Sequence, residues 1–135
     1  MTINRRVVLS SRPTGVAQAE NFRIEDAELA APGPGEITVK NAFLSVEPAM
    51  RGWIADTGNY STPVPIGDPM RSLATGVVTA SNDPGYAVGD HVKGWFGWQQ
   101  HATVPVSAVE RKITAEQLSL SLGVLGINGI TAYLA

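Results

Sequence analysis

The sequence predicts a mainly β domain with short helices, an antiparallel barrel or sandwich, and three observations carry that expectation. Seven short β-branched runs recur along the chain, and several of them alternate apolar and polar residues with period two. Nine prolines and fourteen glycines punctuate the chain between them. Many short strands separated by turn signals are the pattern of an antiparallel fold, since such strands can be joined by tight turns. The runs fall at residues 6–9, 22–25, 36–46, 75–80, 91–95, 101–104 and 109–113. Arg5 and Arg6 stand against Val7-Val8-Leu9 as the outer end of the first strand. In Glu36-Ile37-Thr38-Val39-Lys40, Ile37 and Val39 are expected to face the core and the polar residues to face away. Pro32-Gly33-Pro34-Gly35 sets a turn before the longest strand, and Asp83-Pro84-Gly85 sets another.

Two segments depart from this pattern. Between Ile54 and Arg71 the chain carries Pro63 and Pro65, which forbid ordinary strand pairing, and Gly58 and Gly67, which suit hinges. A loop this long inside a small domain is usually functional or disordered, so it is a candidate lid. Near the end of the sequence, Asn128 is expected to cap a helix beginning at Gly129 and running through Ala135. That helix is about two turns long, short for one that must hold together alone, and it ends apolar without a stop signal. It reads as a helix cut short, with residues 1–127 forming one domain and 128–135 opening a linker helix to a second. Its apolar face, Ile127, Ile130 and Leu134, is a candidate homodimer surface.

Composition removes several function classes. The chain has 135 residues, room for one ordinary domain, with 44% apolar and 16% charged residues and a net charge of −2. Lysines and arginines are scattered, so nothing tracks a phosphate backbone and nucleic acid is not an expected partner. Cysteine is absent, which removes disulfides, thiolate nucleophiles and cysteine-based zinc sites together. Val7-Val8-Leu9 is too short for a signal segment, and no stretch approaches the about 20 apolar residues of a membrane span. A cytoplasmic protein without membrane partners is the expectation.

A specific resemblance rests on five pieces in order. Glu20-Asn21-Phe22-Arg23 is similar to an early "ENFR". Phe43-Leu44-Ser45-Val46-Glu47-Pro48-Ala49-Met50-Arg51-Gly52 resembles an "LS-x-[DE]-P-Y-M-R" stretch. Val88-Gly89-Asp90-His91-Val92 resembles a "GD-x-V" turn, and Gly97-Trp98-Gln99 a "GWQ/AWE". The twelve residues from Leu122 to Tyr133 are similar to "LGVLG-M-x-G-x-TAY". Together they span nearly the whole chain and resemble the zinc-independent medium-chain dehydrogenase/reductases, in the branch of the prostaglandin, 2-alkenal and curcumin reductases. The resemblance implies a GroES-like β-barrel, followed by a Rossmann domain whose Gly-rich phosphate turn does not occur in these residues. It implies NADPH as cofactor and hydride addition to the C=C bond of an α,β-unsaturated carbonyl, an enone, alkenal or quinone.

The same resemblance suggests the site. Zinc-dependent relatives bring a cysteine to the position of Ser45 and a His-Glu pair near Leu73-Ala74-Thr75-Gly76, so no metal is expected. His91 and His101, expected on neighbouring strands, make a poor site alone. Without a metal the enolate oxygen needs a proton donor, and Tyr60 in the candidate lid is the candidate catalytic acid. The alternative is a surface tyrosine packed on Pro63 or Pro65. Pro48 is implied beside the nicotinamide and Thr131 at its carboxamide end, the alternative for Thr131 being a packed helical residue; Asn128 is a further candidate cofactor contact, with the helix cap as its favoured role. Ala49 stands where the family has tyrosine, which widens the pocket unless Trp53 refills it. Glu47, Met50 and Met70 are further candidate substrate contacts, with Glu47 also placed to tie down its loop against Arg51 and the methionines also suited to ordinary packing. Of Trp95, Phe96 and Trp98, at least one tryptophan is expected in the core. The competing function class is a non-catalytic GroES-like interaction or small-ligand-binding module.

Overall fold

In the computed structural model, which describes residues 1–57 and 60–135, all seven predicted runs are strands. β1 (Ile3–Leu9) and β2 (Phe22–Glu28) pair antiparallel, from Leu9↔Phe22 at the turn side to Ile3↔Glu28. Arg5 meets Asp26 and Arg6 meets Glu25 directly across this pair, so opposite charges coincide only in this register. The guanidinium of Arg5 holds the Asp26 carboxyl below its ordinary pKa, and those of Arg6 and then Arg23 do the same for Glu25.

The other strands are β3 (Glu36–Leu44), β4 (Leu73–Ser81), β5 (His91–Trp95), β6 (His101–Pro105) and β7 (Val109–Ile113). They form one antiparallel sheet in the order β6-β3-β4-β5-β7. Ile37 and Val39 do face the core, where they pack with Ala74, Val78, Val92, Phe96 and Ala102. Thr38 is buried as well, contrary to the simple alternation. Its hydroxyl bonds that of Thr103 at 2.9 Å, and Thr103 donates to the carbonyl of Ala30, so the segment at residue 30 covers that face. β3 stops at Leu44 rather than residue 46, after two irregularities in its pairing with β4. Ser45 makes one more backbone bond, its N–H to Leu73 O, before the chain turns into α1 (Met50–Trp53).

The segment from 54 to 71 is only in part the free loop that was expected. Val64 is buried and its N–H reaches Trp53 O at 2.8 Å, which pins the middle of the segment. Beyond it, Gly67, Asp68 and Met70 bond the backbone of Leu9 and Val7, so the second half lies along β1 as an irregular edge. Gly58, the first expected hinge of the candidate lid, lies outside the described residues. A second core cluster of Leu9, Met50, Trp53, Ile54, Val64 and Met70 fills the space between this edge and α1.

The terminal helix, α2 (Ile127–Leu134), starts earlier than expected. Gly126 is its cap residue, and Asn128 lies inside the first turn with no capping bond. The cause is a close approach: Gly129 donates to Gly123 O, and a Cβ at Gly129 would collide with the carbonyl of Val124. Contact with the preceding turn, not a side-chain cap, therefore sets where the helix begins. Among the described residues, no helix is long and apolar enough to cross a membrane.

Gly76 of β4 is a second glycine that contact demands. A Cβ there would meet Lys40 O and lie 2.8 Å from Val39 Cγ1, at the irregular stretch of the β3–β4 pairing. Gly76→Ala is expected to lower stability by about 1–3 kcal/mol, the range for overpacking a tight interior. Equilibrium urea unfolding checks it, with a shifted midpoint and an unchanged slope as the expected result.

Candidate functional site

The single helical turn α1 and the end of β5 bring two tryptophans together. Trp53 and Trp95 stand edge to face with ring centroids 5.8 Å apart. Edge-to-face contact is the favoured geometry for such rings, and it leaves Trp95 part exposed as a wall. A cavity of about 630 Å³ opens beside them, lined by Trp53, Tyr60, Ser61, Thr62, Arg71 and Trp95. That size suits a small organic ligand. Tyr60 is 87% exposed, so its phenol is available to a ligand rather than packed on the prolines.

Three arginines, of which Arg71 lines the cavity, donate to backbone carbonyls. Arg12 bonds Ile54 O and Val64 O at 3.1 and 3.0 Å, spanning both ends of the segment that carries Tyr60. Arg71 bonds Ser61 Oγ and Thr62 O, both at 2.8 Å, while its guanidinium lies 5.8 Å from the Trp53 ring centroid. Arg51 donates twice to Gly15 O, at 3.0 and 2.8 Å. The expected tie between Arg51 and Glu47 is therefore replaced by one between α1 and the loop at residue 15, because the guanidinium fork fits a carbonyl already in reach.

The other sequence-predicted residues fall in three places. Tyr60 lies at the cavity, as does Trp53, the residue suited to refill the space left by Ala49. Glu47, Pro48 and Ala49 lead into α1, with Pro48 exposed, Glu47 half-buried and Ala49 packed on the second core cluster. Met50 and Met70 belong to that cluster, Met70 at 1% exposure, and neither is among the residues lining the cavity. Asn128 and Thr131 lie exposed on α2, away from the cavity lining. Phe96 is core; Trp98 is half-buried against Phe22 and donates its indole N–H to Ser45 O at 3.0 Å.

The histidines do not share neighbouring strands. His91 on β5 and His101 on β6 are separated by β4 and β3 in the sheet order. Burial, and then the nearby Lys40 charge, hold His101 below its ordinary pKa. Among the described residues no three His, Cys, Asp or Glu side chains are grouped to hold a metal ion. Arg12, Ser61, Thr62 and Arg71 were not legible as site residues, since the contacts that place them come from the fold.

Comparison with known proteins adds the lineage. Residues 5–111 match the family described as the N-terminal domain of oxidoreductase. The chain belongs to this family. It is 42% identical over 132 residues to the NADPH-dependent curcumin reductase of Escherichia coli, covering 97% of this chain and 38% of that protein. It is 31% identical over 136 residues to the NADP(+)-dependent 2-alkenal reductase of Nicotiana tabacum, covering 96% of this chain and 40% of that one. Among solved structures, CurA from Vibrio vulnificus superposes with a TM-score of 0.88 at 35% identity, over 97% of this chain and 39% of that one. The chain thus spans about two-fifths of the length of the curated relatives it matches. The GroES-like, mainly β expectation and the resemblance to the curcumin, 2-alkenal and prostaglandin reductases both hold.

Arg12 gives a direct test of how the rim is held. Arg12→Ala removes two charge-assisted bonds and is expected to cost about 1.5–3 kcal/mol. Hydrogen exchange checks the local effect: the Val64 amide, bonded to Trp53 O, should exchange faster than the amides of β3 and β4.

Proposed function

We propose that this chain is the substrate-side domain of an NADPH-dependent reductase acting without a metal on the C=C bond of α,β-unsaturated carbonyls. Enones, alkenals and quinones are the substrate class, and the cytoplasm is the expected compartment. The observation that carries the proposal is the aromatic cavity between Trp53 and Trp95 with the exposed phenol of Tyr60 at its rim. Relatives named as curcumin, 2-alkenal and prostaglandin reductases support the same chemistry.

The tryptophan faces hold a planar conjugated substrate, excluding water from one side of it. Tyr60 donates a hydrogen bond to the carbonyl oxygen, where negative charge grows as the β-carbon is reduced, and then delivers the proton. Arg12 and Arg71 tie the chain on either side of that phenol through Ile54, Val64, Ser61 and Thr62. NADPH supplies the hydride when bound.

Part of this chain suits the nicotinamide end of that cofactor. Pro48 is exposed beside α1, and Asn128 and Thr131 present polar groups at the start of α2, next to exposed Ile127 and Ile130. A polar helix start beside apolar surface fits an amphipathic carboxamide-bearing ring. The rest of the protein, expected to be a Rossmann domain, would hold the phosphates and cover the apolar face of α2. A homodimer through that face is the competing arrangement.

Tyr60→Phe in the full-length protein keeps the ring and removes the hydroxyl. The single-turnover rate of NADPH oxidation with an enone is expected to fall about 100-fold, the lower end for losing one donor to a developing oxyanion. An unchanged rate would remove Tyr60 from the acid role.

A further inference from the structure

Six of the ten Lys and Arg side chains meet or approach a carboxylate among the described residues, and Arg71, like Lys40, Arg51 and Arg111, is not one of them. Arg5, Arg6, Arg23, Lys93 and Lys112 each meet a carboxylate, and Arg12 lies 4.0 Å from Asp56. Arg71 has no carboxylate partner among the described residues, yet it lines the aromatic cavity. Its bonds to Ser61 Oγ and Thr62 O occupy one N–H on each terminal nitrogen. A guanidinium carries five N–H donors in a fixed fork, so donors remain after the loop is tied. The group is partly buried and rests on the Trp53 ring. A positive charge beside apolar walls is screened less than one in open water, so it favours an anion entering the cavity.

We infer that Arg71 is a specificity-determining residue, and that the cavity prefers planar aromatic enones that carry a carboxylate. The aromatic ring lies against Trp53 and Trp95, and the carboxylate takes the remaining donors of Arg71. The inference rests on reading the cavity as the substrate site, and it adds the charge of the substrate. A phosphate of the cofactor is the other source of an anion at this position.

The test uses the full-length protein with 4-carboxybenzylideneacetone and its methyl ester, which differ in charge and share the reacting enone. The wild type should show kcat/KM at least tenfold higher for the acid. Arg71→Gln should lower kcat/KM for the acid about tenfold more than for the ester, and Arg71→Lys, which keeps the charge, should restore part of the gap. Equal use of acid and ester by the wild type overturns the inference while leaving the reductase reading intact, and needs no variant to fold. So does an equal loss for both substrates in Arg71→Gln, which would make Arg71 only a tie for the loop. A rise in the KM for NADPH with the acid-to-ester ratio preserved assigns the charge to the cofactor and also overturns it. If neither compound is reduced, the reductase reading fails, and quenching of tryptophan fluorescence by the two compounds decides the inference separately. Tighter binding of the acid, lost in Arg71→Gln, upholds it, and equal or absent binding of the acid ends it.

Discussion

A closed ring of three backbone hydrogen bonds organises the site side of this domain. Val7 N–H donates to Trp98 O, Trp98 N–H to Met70 O, and Met70 N–H to Val7 O, at 2.8, 2.9 and 2.9 Å. Three segments distant in sequence meet there: β1, the return from the long loop, and the connection between β5 and β6. Backbone groups buried at such a junction must be paired, and pairing each segment with the other two leaves little freedom in how they meet. The second core cluster gathers on this ring, with Leu9 and Met70 supplied by two of the joined segments. α1 packs on that cluster through Met50 and Trp53, and Trp53 then forms a wall of the cavity. The site is thus an extension of the junction, not a separate loop assembly.

Arginine is the other recurring device. Arg12, Arg51, Arg71 and Arg111 all donate to main-chain carbonyls of loops or turns. Loops leave carbonyls without strand or helix partners, and a forked donor can satisfy two of them at once. Arg12 does so across Ile54 and Val64, closing the segment between them where Pro63 and Pro65 rule out a regular ladder. The two side-chain bonds of Arg12 thus add to the few backbone bonds there, such as that of Val64 N–H to Trp53 O.

Local pattern was enough for much of the fold. The runs at 91–95 and 109–113 match β5 and β7 at both ends, because β-branched residues there lie between clear turn signals. Turn chemistry at Pro32 to Gly35 correctly preceded β3, one of the two nine-residue strands. The misses share a cause, which is tertiary contact overriding a local rule. Thr38 breaks alternation because Thr103 and the Ala30 carbonyl complete its burial. Asn128 is a good cap residue by type, yet the helix is set by the approach of Gly129 to Val124. Tyr60 was named from resemblance and from its loop position, and Trp53 only as a residue able to refill space beside Ala49; both line the cavity. Arg12 was not, since its partners lie 42 and 52 residues away, and no neighbouring residue marks it.

The edge-to-face contact of Trp53 with Trp95 also gives the domain an optical property. Two indoles with centroids 5.8 Å apart and planes inclined at 66° hold their transition dipoles close and oblique. Such a pair couples excitonically and contributes a paired positive and negative band to the circular dichroism spectrum. One ring sits on the helical turn after Pro48, and the other ends β5. The couplet therefore changes whenever the distance or orientation between these two walls of the cavity changes. The protein carries its own gauge of cavity geometry, readable without a label or a crystal.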